Sequence, residues 1–220
     1  MILKEVPSDS TVEYFDIFDE NMNHIGVAPR SEAHREGYYH LAFQCWIVRR
    51  EGAKGYVLLQ KRSESKDTFP SLYDTSSAGH LNAGEAIEDG VRELKEELGH
   101  TVDFSELTSI GIIKQQKNEK NYRDYQFAYL YIYESNKPIL DYVVQQEEIT
   151  ALVEMQLEDF GAIISGHKLT AIAKGFYLDS EGEKHYKEFT IGYNDLVGHG
   201  DEYYRTVYRG IEEYLAKNEG

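Results

Sequence analysis

The stretch from Gly79 to Gly99, GHLNAGEAIEDGVRELKEELG, constrains this chain more than any other. Five residues separate Gly79 from Glu85, and a dense run follows: Arg92-Glu93-Leu94-Lys95-Glu96-Glu97-Leu98-Gly99. At about 100° per residue, Ile87 to Leu98 forms a helix whose apolar stripe is Ile87, Val91, Leu94 and Leu98. Glu93, Glu96 and Glu97 stand at i, i+3 and i+4 and share another face, with Asp89 at its edge. Like charges at this spacing repel by about 0.2–0.5 kcal/mol per pair. A hard cation turns that repulsion into coordination, because Mg²⁺ takes oxygen ligands and keeps positions open for substrate phosphates. Three glutamates alone would read as a solvated acidic face. The glycine-rich entry (Gly79, Gly84) and Arg92 among the carboxylates favour a metal site.

Composition narrows the function further. A chain of 220 residues holds one domain, or one domain with an extension. The formal charge of −16 opposes general binding to nucleic acid or an anionic membrane, both of which need a basic footprint. It leaves room for a small phosphorylated ligand, since a metal supplies local positive charge. The one cysteine, Cys45, sits in an apolar run and forms no intrachain disulfide, which fits a reducing compartment. Neither a signal-length apolar core at MILKEVPSDS nor a membrane-length apolar run is found, so a cytoplasmic protein is expected.

In chain order, residues 1–10 read as a lead-in. Thr11 to Phe18 and His24 to Ala28 form a hairpin about the turn at residues 19–23. Arg30 to Glu36 is a short helix with Ser31 as its N-cap. Strands are expected at Leu41–Arg49, Tyr56–Gln60 and Ser76–His80, with a loop from Ser63 to Asp74. After the Gly99 helix stop, Leu107–Lys117 and Tyr122–Glu134 pair about a turn at residues 118–121. Ile149–Leu157 is a strand and Glu158–Ile164 a helix. Leu169–Leu178 and Lys184–Tyr193 form an extra hairpin. Asp201–Lys217 closes as a helix with Tyr204, Val207, Tyr208, Ile211 and Tyr214 or Leu215 at helical spacing. The alternation of antiparallel strands with few helices is α+β.

The glycine-to-glycine run resembles the Nudix box: G, five residues, E, seven residues, then REUxEExGU, with U aliphatic. Gly79, Glu85, Arg92, Glu93, Leu94, Glu96, Glu97 and Gly99 match it. Two positions depart: six residues separate Glu85 from Arg92, and His100 stands at the final aliphatic place. The resemblance implies a Nudix-type α/β/α sandwich with a mixed, largely antiparallel sheet, over residues 1–165. Residues 166–220 are then a C-terminal hairpin-helix extension packed on that domain. By the same resemblance Glu93, Glu96 and Glu97, with the Gly79 carbonyl, bind Mg²⁺ (or Mn²⁺), and a glutamate left free of metal serves as general base. Glu147 and Glu148, before the Ile149 strand, are alternative bases. Arg92 is expected to orient a glutamate. Lys61 and Arg62, with Lys66 nearby, are candidate phosphate contacts. Trp46 and Tyr122, Tyr125 and Tyr129 are read as core aromatics before base-stacking ones.

Upstream, HREGYYHLAFQCWIVRR and LLQKRSESKDTFPSLYDTSSAGHLNAGE are similar to the branch containing isopentenyl-diphosphate isomerases. That likeness covers roughly residues 12–165 and implies a second metal site at His34, His40 and His80, joined by Asp124 from a later strand. The isomerases use a cysteine acid just before their Gly-His pair, where this chain has Ala78. The leading expectation is therefore a metal-dependent hydrolase of a nucleoside diphosphate derivative or related organic diphosphate. An isomerase, disfavoured by Ala78, and a non-catalytic ligand-binding module are the alternatives. The expected partner is a small-molecule diphosphate, with a homodimer through the Tyr-rich extension left open.

Overall fold

The computed structural model describes residues 12–66, 68–119 and 122–217. The lead-in expected over residues 1–10 lies outside them. Strands β1 (Tyr14–Phe18) and β2 (His24–Pro29) form a separate two-stranded sheet, and α1 (Arg30–Glu36) follows. The residue preceding α1 is Pro29 and no side chain caps it, so Ser31 is not an N-cap: the fixed φ of proline already directs the chain into the helix.

A nine-stranded sheet organises the rest. Its strands are β3 (His40–Glu51), β4 (Lys54–Arg62), β5 (Tyr73–Asp74), β6 (Ser77–His80), β7 (Thr108–Glu119), β8 (Tyr122–Glu134), β9 (Ile149–Gln156), β10 (Thr170–Leu178) and β11 (Lys184–Gly192). The order is β11-β10-β9-β4-β3-β8-β7, with β5 on β4 and β6 on β3. β3 and β8 run parallel, and the remaining pairs are antiparallel. β3 is long enough to take two neighbours along one edge. Its Val48–Glu51 end pairs with β4, and its Ala42–Cys45 half pairs with β6.

Side chains alternate across β3 and divide the core. Trp46 and Val48 face one layer with α3 (Leu157–Ile164) and α4 (Asp201–Lys217), whose Tyr203, Tyr204, Val207, Ile211 and Leu215 are buried. Phe43, Cys45 and Ile47 face the other layer, against Leu94 and Leu98 of α2 (Arg92–Leu98). The arrangement is a sheet between helical layers, as the sequence implied. Strands β10 and β11 add to the edge of this same sheet.

One expected element is divided. Ile87–Leu98 is not a continuous α-helix: Ile87–Val91 is a 3₁₀ turn and the α-helix starts at Arg92. The cause is local. Gly90 sits so close to the Phe43 ring that a Cβ there would collide with it, and Asp89 accepts a bond from the Ala86 N–H at 2.8 Å. Asp89 is thus a cap, not an edge of the acidic face. The apolar stripe nevertheless packs as expected, with Leu94 and Leu98 fully buried.

A buried polar link ties the two ends of the chain. Tyr203 Oη donates to Gln44 Oε1 at 2.5 Å and accepts from Trp46 Nε1 at 3.2 Å. Replacing Tyr203 with Phe leaves both groups buried without this partner, at a cost of about 1–3 kcal/mol. Urea unfolding of Tyr203→Phe is expected to show that loss as a lower midpoint with an unchanged slope.

Candidate functional site

The division of β3 between β4 and β6 opens a cavity of about 330 Å³ at the end of the sheet. β6 delivers Ala78, Gly79 and His80 to it; α2 delivers Glu93, Glu96 and Glu97; β8 delivers Asp124 and Gln126. Close approach of α2 to β6 explains the first glycine. A Cβ on Gly79 would fall on the Glu93 carboxylate, so only glycine lets that side chain lie over the strand.

Arg92 braces the acidic group. Its Nε donates to Glu85 Oε1 at 2.9 Å, its Nη1 to Glu93 Oε1 at 2.5 Å and Glu96 Oε2 at 3.2 Å, and its Nη2 to the His80 carbonyl at 2.9 Å. The shorter spacing after Glu85 is thereby accommodated, since the 3₁₀ turn still brings Glu85 back to Arg92. Glu97 is buried and accepts from Ser77 Oγ at 2.7 Å and the Ala78 N–H at 3.1 Å. Burial, with the Glu93 charge adding to it, pushes its carboxyl up to about 8. Burial raises Glu93 as well. One buried and one partly buried carboxyl on the same wall of the cavity are oxygen donors that could hold a divalent cation.

A second group lies beside the first. One ligand atom from each of His34, His40, His80 and Asp124 falls within 4.8 Å of the others. α1 supplies His34, the start of β3 His40, the end of β6 His80 and β8 Asp124. His40 Nδ1 bonds the Tyr38 carbonyl at 3.2 Å, which leaves a lone pair on Nε2. That Nε2 faces Asp124 Oδ1 at 3.3 Å, and both atoms are buried without a hydrogen-bond partner. Two facing lone pairs in a buried place fit a bound cation. Burial drives His34 down to about 3 and His80 to about 4, each helped by the neighbouring imidazoles, so both rings keep the neutral form that ligates metal. Phe15 stacks on His40 at 4.8 Å and edges His34 and His80, closing this cluster from outside.

The other candidates divide. Arg62 lines the cavity, held by Asp74 at 3.3 Å and the Thr68 carbonyl at 2.9 Å. Lys61 does not line it; adjacent strand residues face opposite ways, and its ammonium lies 5.8 Å over the Tyr73 ring. Lys66 reaches the cavity in an ion pair with Glu148, whereas Glu147 does not line it. Trp46 is core. Tyr122 packs on His34 at 4.3 Å, Tyr125 on Tyr39 at 5.4 Å, and Tyr129 against the α2 layer.

Sequence reasoning missed one wall. His199, between β11 and α4, enters the cavity with Asp74 and Lys117. His199 Nε2 contacts Asp74 Oδ1 at 2.7 Å, and its Nδ1 faces Lys117 Nζ at 3.0 Å and Gln115 Nε2 at 3.1 Å. No motif links Asp74 to His199 across 125 positions. The strand expected from the sequence ends at Lys117, before a turn at residues 118–121. The ladder instead closes to Glu119–Tyr122, which sets Lys117 across from Asp124.

The NUDIX domain family model matches residues 38–176, and the chain belongs to that family. An uncharacterized Nudix hydrolase of Clostridium acetobutylicum is 40% identical over 199 residues, covering 90% of this chain and 97% of that protein. An isopentenyl-diphosphate Delta-isomerase of Aliivibrio fischeri is 30% identical over 141 residues, covering 63% of this chain and 77% of the isomerase. Among solved structures, a Deinococcus radiodurans protein superposes with a TM-score of 0.54 at 19% identity, over 71% of this chain and 91% of that one, a likeness of fold.

Asp74 supplies a pH prediction. Burial works to raise its carboxyl, but His199 and Arg62 outweigh this and hold it well below the carboxylate range. A depressed folded pKa contributes stability that is complete above the unfolded value of about 3.9 and lost as pH falls through the folded value. Asp74→Asn is expected to melt lower at pH 7 and to show a shallower fall in Tm below pH ~4 than the parent. Thermal melts across pH 2.5–7 check this.

Proposed function

We propose that this chain is a metal-dependent hydrolase that cleaves the diphosphate linkage of a nucleoside diphosphate derivative or a related organic diphosphate. The observation that carries this reading is the convergence of Glu93, Glu96, Glu97 and Gly79 on one cavity with His80 and Asp124, which belong to the group completed by His34 and His40. Membership of the Nudix hydrolase family supports hydrolysis of a diphosphate in general. Glu93, Glu96, Glu97 and the Gly79 carbonyl would hold Mg²⁺ or Mn²⁺, and His34, His40, His80 and Asp124 a second divalent ion. Such ions supply charge neutralisation at the diphosphate and acidify water.

The chain's own residues do the rest. Arg92 holds Glu93 and Glu96 through Nη1 and is itself fastened to the His80 carbonyl through Nη2. Arg62 and Lys66 bring positive charge to the cavity mouth for the entering anion. Whichever of the three glutamates is left free of metal would serve as general base, and Glu97 is held by Ser77 and the Ala78 N–H. Water oxygen bonds to one phosphorus as the bridging P–O bond breaks, and the two products leave as phosphate esters or phosphate. Residues 1–165 form the Nudix domain in this reading, with residues 166–220 packed on it, and a small-molecule substrate in the cytoplasm fits the charge of −16 and the single cysteine.

A second reading, isomerisation of isopentenyl diphosphate, has one observation in favour, the relatives that bear that activity as their name. Against it, Ala78 offers no acid, and Cys45 is fully buried with its thiol pushed up by burial. Absence of solvent-deuterium exchange into isopentenyl diphosphate excludes it.

The test is product release from nucleoside diphosphate sugars, dinucleotides, nucleoside triphosphates and isoprenyl diphosphates, with and without Mg²⁺ or Mn²⁺. Metal-dependent release that falls about 10²-fold or more in a Glu96→Gln/Glu97→Gln variant is the expected result. Turnover retained in that variant overturns the assignment; tight ligand binding without turnover in the parent favours the binding-module alternative. Independently, His40→Ala is expected to bind about one fewer equivalent of Mn²⁺ by metal analysis, and unchanged content removes the second site.

A further inference from the structure

The wall formed by Lys117, His199 and Asp74 has a charge and hydrogen-bond arrangement that the chemistry above does not use. Each of the other cations lining the cavity has a carboxylate partner: Arg30 with Glu13, Arg62 with Asp74, Lys66 with Glu148, and Arg92 with Glu85, Glu93 and Glu96. The contacts of Lys117 are different in kind. They are the imidazole Nδ1 of His199 at 3.0 Å and the Phe69 ring at 5.0 Å, and among the described residues no carboxylate lies within ion-pair distance of it.

Hydrogen-bond directions around His199 follow from its neighbours. Asp74 is an acceptor, so His199 Nε2 carries the proton and donates to Asp74 Oδ1 at 2.7 Å. His199 Nδ1 then accepts from Lys117 Nζ at 3.0 Å and from Gln115 Nε2 at 3.1 Å. Gln115 Oε1 in turn accepts from Gln126 Nε2 at 2.7 Å. The side chains of His199 and Asp74 are 3% and 6% exposed, so the chain of bonds is fixed in place, and Asp74 has no free oxygen. Its Oδ1 also accepts from the Thr75 N–H at 2.8 Å, and its Oδ2 accepts from Arg62 at 3.3 Å. One ammonium N–H is spent on His199 and the others remain for the cavity. Lys117 lies directly across the ladder from Asp124, which puts this ammonium beside the histidine group.

From this we infer that Lys117, positioned by the His199–Asp74 pair, is an anion subsite that selects diphosphates whose organic portion carries a further phosphoryl or carboxyl group. A donor wall with its acceptors already filled has hydrogen bonds to give and few to receive, so its ligand is rich in acceptors and anionic. The surrounding side chains agree, because Gln44 and Gln126 line the same cavity and make that wall polar. The subsite also gives residues 166–220 a role. A parallel bridge from Leu196 to Tyr73, with the Val197 N–H bonded to the Tyr73 carbonyl at 2.8 Å, fastens the segment that brings His199 into the cavity.

This inference rests on the hydrolase reading, and the experiment separates the two. Hexyl diphosphate is compared with 5-carboxypentyl diphosphate and 6-phosphohexyl diphosphate, in Mg²⁺ and in Mn²⁺. One charge-assisted contact is expected to favour the doubly anionic compounds by about tenfold or more in kcat/KM, chiefly through KM. Lys117→Met is expected to bring that ratio to about 1, and Lys117→Arg to restore part of it. His199→Ala is expected to lower the same ratio, since the ammonium loses the group that aims it. A folding defect lowers turnover of all three compounds together and does not change their ratio. No metal-dependent turnover of any compound in the parent defeats the hydrolase reading. Turnover of all three with equal kcat/KM, or a preference that survives Lys117→Met, overturns the subsite alone. Preference for only one of the two doubly anionic probes identifies which group it takes.

Discussion

Everything at the site depends on β3 being shared along its length by two neighbours. A strand of this length cannot pair with β4 throughout and also admit β6, so the sheet parts between its Ala42–Cys45 half and its Val48–Glu51 end. The gap is floored by strand ends and roofed by α2. Backbone hydrogen bonds are obligatory in a buried place, and β6 supplies them where β4 leaves. The same exchange carries Ala78, Gly79 and His80 to the cavity in one short run.

Burial of charge is the second constraint. Carboxylates and imidazoles are costly to remove from water unless paired. Here Arg92, Ser77 and the Ala78 N–H serve the α2 glutamates, while His40 Nε2 and Asp124 Oδ1 are left facing one another. Burial raises the carboxyls of Glu93 and Glu97, and the facing His40 and Asp124 atoms stay without a hydrogen-bond partner among the described residues. The packing of the aromatic core is subordinate to this. Trp46 and Tyr203 meet on the same face of β3 as Gln44, and Tyr203 joins that core to a residue lining the cavity.

The segment between β11 and α4 lies far along the chain from the acidic motif, yet its Val197 and His199 line the same cavity. Tyr73 is the meeting point: it pairs with Lys61 on one side and bridges Leu196 on the other. A Nudix motif alone says nothing about such a contact, because it joins segments that lie far apart in the chain.

What the sequence by itself determined is the local and periodic part. Strand alternation, the Leu94–Leu98 stripe and the Gly99 stop are set by short-range sterics and burial, and they appear where their pattern places them. The acidic run, the three histidines and Asp124 were legible because a motif or a resemblance marks them one by one. Tertiary structure alone decided three things. Gly90 against Phe43 broke the expected helix, since contact with a distant ring outweighs local propensity. The β7–β8 ladder runs two residues further than expected, to Glu119–Tyr122, and so sets Lys117 across from Asp124, since register decides every pairing of a strand. And Asp74 met His199 only because the sheet brings together segments 125 positions apart, a distance over which no spacing rule operates.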